Sequence, residues 1–317
     1  MATSAKSASF TAVRKSVQMG DEAARLVTLV FAGGILLITL LVVAVLWDHS
    51  SLAFNKFGFR FFTSQNWDPN SDEFGALPFV YGTLMTSFLA LLIAVPLGVG
   101  AAIFLAELAP PKISSILTFL VELLAAVPSV IYGLLAIFTL VPFMRDTVEP
   151  ALQSTLGFLP FFQGQIFGVG YLTAGVILAI MTFPFIISIS REALLAVPRE
   201  QREAALALGA TQWESTFDIV LPNAHLGIIG SIFLGLARAL GETMAVTMVI
   251  GNDPSIKASL FAPGYTIAAV IANEFAEASG NLHLSALVAL SFVLFLLTMV
   301  INGAARLMIM ATSRKGA

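Results

Sequence analysis

A chain of 317 residues of which 58% are hydrophobic and only 11% charged cannot fold as one water-facing globule, because soluble domains run about 45–50% apolar and about 25% charged. With a mean hydropathy of +0.92, the class is membrane. The net charge of −3 argues against nucleic acid as a partner, the absence of cysteine excludes disulfides and thiolate metal sites, and His49, His225 and His283 lie too far apart in sequence to suggest a metal site.

Runs near 20 apolar residues are long enough to cross about 30 Å of hydrocarbon at about 1.5 Å per residue. Six such runs predict an all-α, polytopic membrane protein. After an N-terminal tail (1–25), the run 26–47, Leu26 to Trp47, carries no charge and is read as a retained first helix, since no convincing cleavage site follows it. The outside loop, residues 48–80, holds Phe54, Phe57, Phe59, Phe61, Phe62, Trp67 and Phe74. Aromatics this dense beside a span suggest a segment lying in the headgroup layer; a docking surface for an external partner is the other reading. The second helix is placed at Tyr81–Leu105, the third at Ser114–Pro142 with an interruption at Pro128, and the fourth at Ile166–Ser190. The fifth is Ala224–Ile250 and the sixth Leu284–Ile309, with 310–317 a short tail. Between the fifth and sixth, Thr266–Ala278 reads as a helix too short to span, lying at the outer face or re-entering the bundle.

Basic residues orient the chain. With the N-terminus inside, cytoplasmic segments hold Lys6, Arg14, Lys15, Arg25, Lys112, Arg191, Arg199, Arg202, Arg306, Arg314 and Lys315, and outside loops hold Lys56, Arg60, Arg145 and Lys257. That imbalance predicts cytoplasmic termini.

The cytoplasmic stretch 191–223 has its own local signals. Pro198 suits a first helical turn, Glu203, Ala204, Ala205, Leu206, Ala207 and Leu208 are good helix formers, and Gly209 suits a helix stop. Thr211 and Glu214 make a T-x-x-E capping box opening a second short helix that is expected to end before Leu221–Pro222. Read blandly, this is an amphipathic hairpin. Yet Glu203-Ala204-Ala205, Gly209, Ile219, Leu221 and Pro222 resemble, at their fixed spacing, the EAA loop of ABC importer permeases. The resemblance implies a type I ABC importer permease core over 81–309 with an extra N-terminal helix. It also implies a coupling helix in which Glu203, Ala204, Ala205 and Gly209 meet a cytoplasmic ATPase. The chain has no G-x-x-x-x-G-K-[ST] loop, so ATP and Mg are expected on a partner subunit, and no cofactor in this chain.

Arg238 and Glu242 fall near the centre of the fifth run. An arginine there costs about 2.5–3.5 kcal/mol on insertion scales, so it should face the bundle or a wet cavity. Four residues apart, the two would share a helical face. They are either an ion pair that makes both charges tolerable, or an oxyanion contact in which Glu242 tempers the hold of Arg238 on a passing anion. The run Leu236 to Val246, with Thr243 inside it, resembles PstC-type phosphate permeases, as do Gly251-Asn252, Ala272 to Ala278 and Tyr81-Gly82-Thr83-Leu84. This resemblance implies an inner-membrane phosphate importer whose pathway includes Arg238 and Glu242. Its implied partners are a PstA-type permease, two ATPase subunits, an external phosphate-binding protein and a cytoplasmic phosphate-signalling regulator.

Glu122, before Pro128, lines the same cavity or packs neutral between helices. Glu107 is expected at the water boundary, and Glu274 and Glu277 on a solvated face or at a gate. The rivals are a sulfate or molybdate permease, the sister PstA-type subunit, an ion-coupled secondary transporter and a membrane receptor. No nucleophile, base or metal constellation supports an enzyme.

Overall fold

With no water in a bilayer core, each backbone N–H and C=O must find its partner within the protein, which long apolar runs do as helices. The computed structural model describes residues 2–313, with side chains for residue 22 and residues 24–311. Arg314 and Lys315, and the side chains of Lys6, Arg14 and Lys15, therefore lie outside the described residues. Helix α1 (Ala2–His49) draws the expected tail and first span as one rod. An outer cap follows, made of α2 (Ser51–Phe57), α3 (Arg60–Thr63) and an antiparallel hairpin of β1 (Trp67–Asp68) and β2 (Glu73–Phe74), with Trp67 opposite Phe74. The chain continues through α4 (Leu77–Leu108), α5 (Pro111–Ala125), α6 (Ser129–Leu156), α7 (Tyr171–Leu195), α8 (Arg199–Ala207), α9 (Gln212–Gly241), α10 (Met244–Val249), α11 (Ile267–Glu274) and α12 (Asn281–Ser313).

Among the described residues, 6 helices are long and apolar enough to cross a membrane: the Ala24–His49 part of α1, then α4, α6, α7, α9 and α12. Helix α7 is the core of the bundle, packed along α4 on one side and α9 on another. Ile186 of α7, fully buried, fills the space opposite Gly98 of α4 and Gly235 of α9, where a methyl group would press on it. Close approach through small residues is how helices associate in lipid.

Several predicted boundaries move, and prolines explain most of the changes. The third span is not Ser114–Pro142 but α6, and the segment before it forms the separate helix α5. Pro128 lacks an N–H and disfavours helical geometry at Val127, and it sits extended at φ −59°, ψ 140°. Farther on, α6 passes Pro142 and Pro150 without breaking. Each lies just beyond a π-helical turn, at Ala136–Leu140 and Met144–Val148, whose wider loop accommodates the carbonyl that the proline ring would strike. Arg145, expected in an outside loop, therefore lies in α6, paired with Asp146 at 2.8 Å. The same device precedes Pro222, where Ser215–Val220 is a π turn. The second helix expected in the stretch 191–223 consequently does not end before Leu221 but runs on as α9.

The fourth span starts at Tyr171 rather than Ile166, because the N–H groups of Gly170 and Tyr171 bond the carbonyls of Val249 and Ala262. The fifth, expected to reach Ile250, stops at Gly241 and resumes as α10. The sixth is longer than predicted at both ends.

The outer face also differs from a flat interfacial loop. Phe61 and Phe74 are fully buried, and Trp67 stands edge-on to Phe74 and Phe79 at 4.9 and 4.8 Å between ring centroids. Only Phe59 of the seven aromatics is left at 80% exposure, so the loop is a packed cap. Beneath it α11 takes the re-entrant alternative, with Ile267, Ala269 and Val270 fully buried. The Thr83 hydroxyl accepts the Ile267 N–H at 3.0 Å, and a side chain at Gly82 would collide with the Tyr265 carbonyl. The Tyr81-Gly82-Thr83 sequence is thus the seat of the re-entrant segment.

Candidate functional site

The site begins where the fifth membrane helix breaks. Helix α9 ends at Gly241, a poor helix former, and Glu242 turns extended at φ −70°, ψ 128°. Its Oε1 accepts the Ala245 N–H at 3.4 Å, the Thr243 hydroxyl donates to the Gly241 carbonyl at 3.3 Å, and the Thr247 hydroxyl donates to the Thr243 carbonyl at 2.7 Å. Side chains thereby satisfy part of what the interrupted helix leaves open, the condition under which a break is tolerated in a membrane. Arg238 lies one turn before this break. Its Cζ is 4.1 Å from the ring centroid of Phe185 on α7, its buried Nε has no hydrogen-bond partner, and no carboxylate among the described residues lies within ion-pair distance.

Of the two readings of Arg238 and Glu242, the ion pair is therefore not formed among the described residues. Four-residue adjacency holds only inside a continuous helix, and Glu242 lies outside α9, occupied in capping α10. What the structure brings together instead is two interruptions. Helix α10 packs on the first turns of α6, where Gly133 leaves room for Met248 and Ala245. Tyr132 of the same turn donates its hydroxyl to the Leu124 carbonyl at 2.9 Å, bridging the α5–α6 break. A planar guanidinium with one face on an aromatic ring keeps its N–H edges for an acceptor, and its fork fits oxyanions. Neither Phe185 nor Tyr132 carried a signal in the sequence, where aromatics in an apolar run look like packing.

The stretch 191–223 holds its predicted local structure. Gly209 has φ +92° with open space around it, and the Thr211–Glu214 capping box has both of its bonds. Pro198 precedes the first residue of α8 rather than occupying its first turn. Glu203 and Ala204 are exposed and Ala205 half-buried, while Leu208 is 91% and Trp213 58% exposed. Sequence reasoning missed the anchor. Arg202 grips Glu107 with both arms, Nη2 to Oε1 at 2.8 Å and Nε to Oε2 at 3.1 Å, and also donates to the Leu194 and Val197 carbonyls. Glu107, expected at the water boundary, also ties the end of α4 to α8.

The remaining acids scatter. Glu122 lines a cleft with Arg191 and Arg199 rather than joining Arg238. Glu274 accepts Trp67 Nε1–H at 2.9 Å and lies 3.2 Å from His283 Nε2, closing the outer cap, whereas Glu277 is past the end of α11. Glu149 of α6, not singled out beforehand, is fully buried and accepts the Gly168 N–H at 3.1 Å.

Comparisons with known proteins fit this arrangement. The family described as binding-protein-dependent transport system inner membrane component matches residues 94–311. The chain is 48% identical over 292 residues, 91% of its length and 87% of the relative's, to the phosphate transport system permease protein PstC of Mesorhizobium japonicum. It is 47% identical over 273 residues, 85% of its length and 84% of the relative's, to the protein of the same name from Pasteurella multocida. Among solved structures, the inward-facing MetNI methionine ABC transporter is similar with a TM-score of 0.56 at 18% identity, over 74% of this chain and 95% of that one; this likeness concerns the fold. From the helix pattern, the exposed α8 loop and these matches together, the chain is a multi-pass membrane protein belonging to the binding-protein-dependent transport system inner membrane component family.

Proposed function

We propose that this chain is a PstC-type permease subunit of an ATP-driven importer that carries inorganic phosphate across the cytoplasmic membrane by alternating access. The observation that carries the reading is Arg238: a guanidinium in a membrane bundle, without a carboxylate partner among the described residues, stacked on Phe185 at a helix break. Stacking on a ring is worth about 0.5–2 kcal/mol, so the cation is stable before an anion arrives and does not need to trap one. Passage requires a site that attracts an ion and lets it go. The names borne by the relatives supply the choice of phosphate among oxyanions.

In this reading α8 seats on an ATPase subunit through Glu203, Ala204, Ala205 and the exposed Leu208, with Gly209 making the turn. ATP and Mg belong to that partner, and no cofactor to this chain. A PstA-type permease pairs with it, two ATPase subunits drive the pair, and an external phosphate-binding protein delivers the anion. An even number of crossings and the distribution of Lys and Arg support termini on the cytoplasmic side. ATP hydrolysis by the reconstituted assembly tests the proposal: phosphate with the binding protein should stimulate it and sulfate should not, and equal stimulation by sulfate would contradict the choice of anion.

A further inference from the structure

A second polar site lies at the end of the bundle that carries α8, away from Arg238. Between α4, α5 and α7 opens a cleft of about 560 Å³ whose lining includes Ser114, Ser115, Thr118, Glu122, Arg191 and Arg199. That volume falls within the about 300–1,000 Å³ of small-molecule sites. Two guanidiniums face one carboxylate here, and neither arginine has a carboxylate within ion-pair distance among the described residues. Arg191 is positioned rather than free: its Nη2 donates to the Ser114 hydroxyl at 3.5 Å, and Ser114 itself donates to the Leu105 carbonyl at 2.7 Å. Yet the buried Arg191 Nε and Thr118 Oγ1 have no hydrogen-bond partner. Buried polar atoms nearly always have one, and two unmatched donors in the lining, Arg191 Nε on α7 and Thr118 Oγ1 on α5, with a second arginine and a further hydroxyl, ask for a group rich in acceptor oxygens.

We infer that this cleft binds a phosphate group, held by Arg191 and Arg199 with help from Thr118 and Ser115. Arginine forks and hydroxyls are the donors that match phosphate oxygens in number and geometry. Glu122 shares the cleft, which disfavours a densely anionic ligand and leaves room for a group of one or two charges. The group has two possible sources with the same chemistry, free inorganic phosphate and a phospholipid headgroup. The inference does not depend on the transport reading, because it concerns binding at a cleft that does not contain Arg238.

The test uses the assembled importer with Arg238→Gln in all samples, so that the first site does not obscure the second. One arm measures equilibrium binding of radiolabelled inorganic phosphate in phosphatidylcholine nanodiscs. The other counts phospholipids retained by the complex on native mass spectrometry after purification from a phosphatidylethanolamine–phosphatidylglycerol bilayer. Adding Arg191→Gln should weaken phosphate binding at least ten-fold if the source is the free ion, or remove a retained lipid if it is a headgroup. Arg191→Lys, which keeps charge but not the fork, should fall between, and Thr118→Val should weaken binding while leaving assembly intact. Phosphate binding and lipid retention unchanged in Arg191→Gln and in Thr118→Val would overturn the inference. With these binding results in hand, failure of phosphate to stimulate ATP hydrolysis by the assembly that keeps Arg238 would instead count against the transport reading alone.

Discussion

Arg238 lies one turn before the end of α9 with its guanidinium over the ring of Phe185. Phe185→Ala removes the ring that holds the guanidinium plane. The loss of about 0.5–2 kcal/mol should raise the KM for phosphate uptake by about two- to thirty-fold while leaving assembly unchanged, as uptake by proteoliposomes at varied phosphate would show; an unaltered KM would mean the stacking is incidental. The arginine was legible in the sequence because a charge in an apolar run is costly and therefore needs a reason. Its ring was not, since a phenylalanine among leucines and isoleucines says nothing about what rests on it. The helical face expected to join Glu242 to Arg238 fails for a geometric cause: the spacing argument holds for an unbroken helix, and Gly241 ends it.

Among the elements, α8 is held to the bundle by an anchor, and in the proposed function it is where the motor would push. Gly209 at φ +92° leaves L side chains a conformation that costs about 1–2 kcal/mol, although nothing crowds it. Gly209→Ala should therefore weaken coupling, and Gly209→Asp should disconnect ATP hydrolysis from uptake or prevent ATPase co-purification; normal uptake by the Asp variant would remove the coupling role from this turn. The Arg202–Glu107 pair, with side chains 18% and 10% exposed, is a stronger hinge than any sequence signal suggested. Breaking such a buried pair from one side costs about 3–5 kcal/mol locally. Glu107→Gln should thus loosen α8 from α4, which hydrogen exchange along residues 199–208 would detect as faster exchange than in the parent protein. Two facing charges separated by most of a hundred residues cannot be paired by reading one chain, which is why this anchor went unseen. The local signals fared better: Thr211, Glu214 and Gly209 behave as their chemistry dictates because caps and turns depend on near neighbours. Prolines divided. Pro128 breaks its helix, but Pro142, Pro150 and Pro222 are each absorbed by a π turn, which in a membrane keeps more backbone paired than a break would.

At the scale of the molecule, α9 joins the two ends to which the proposed function assigns motor coupling and anion passage. It starts at the capping box beside α8 and ends at the break beside Arg238, a continuous helix about 45 Å long at about 1.5 Å per residue. The number of spans was legible from hydropathy alone, because bilayer thickness sets a length that few soluble helices match. The outer cap was not, since aromatics that pack on one another and aromatics that lie in headgroups have the same composition. Helix α9 carries the central claim, that motor and anion path are separate sites linked by one helix. Parallel measurement of phosphate uptake and ATP hydrolysis by the reconstituted assembly bearing Arg238→Gln tests it most directly. Removing a charge-assisted contact worth about 1.5–3 kcal/mol should cut uptake by about 10- to 150-fold with the complex intact and basal ATP hydrolysis preserved. Uptake at the parental rate by this variant would contradict the account.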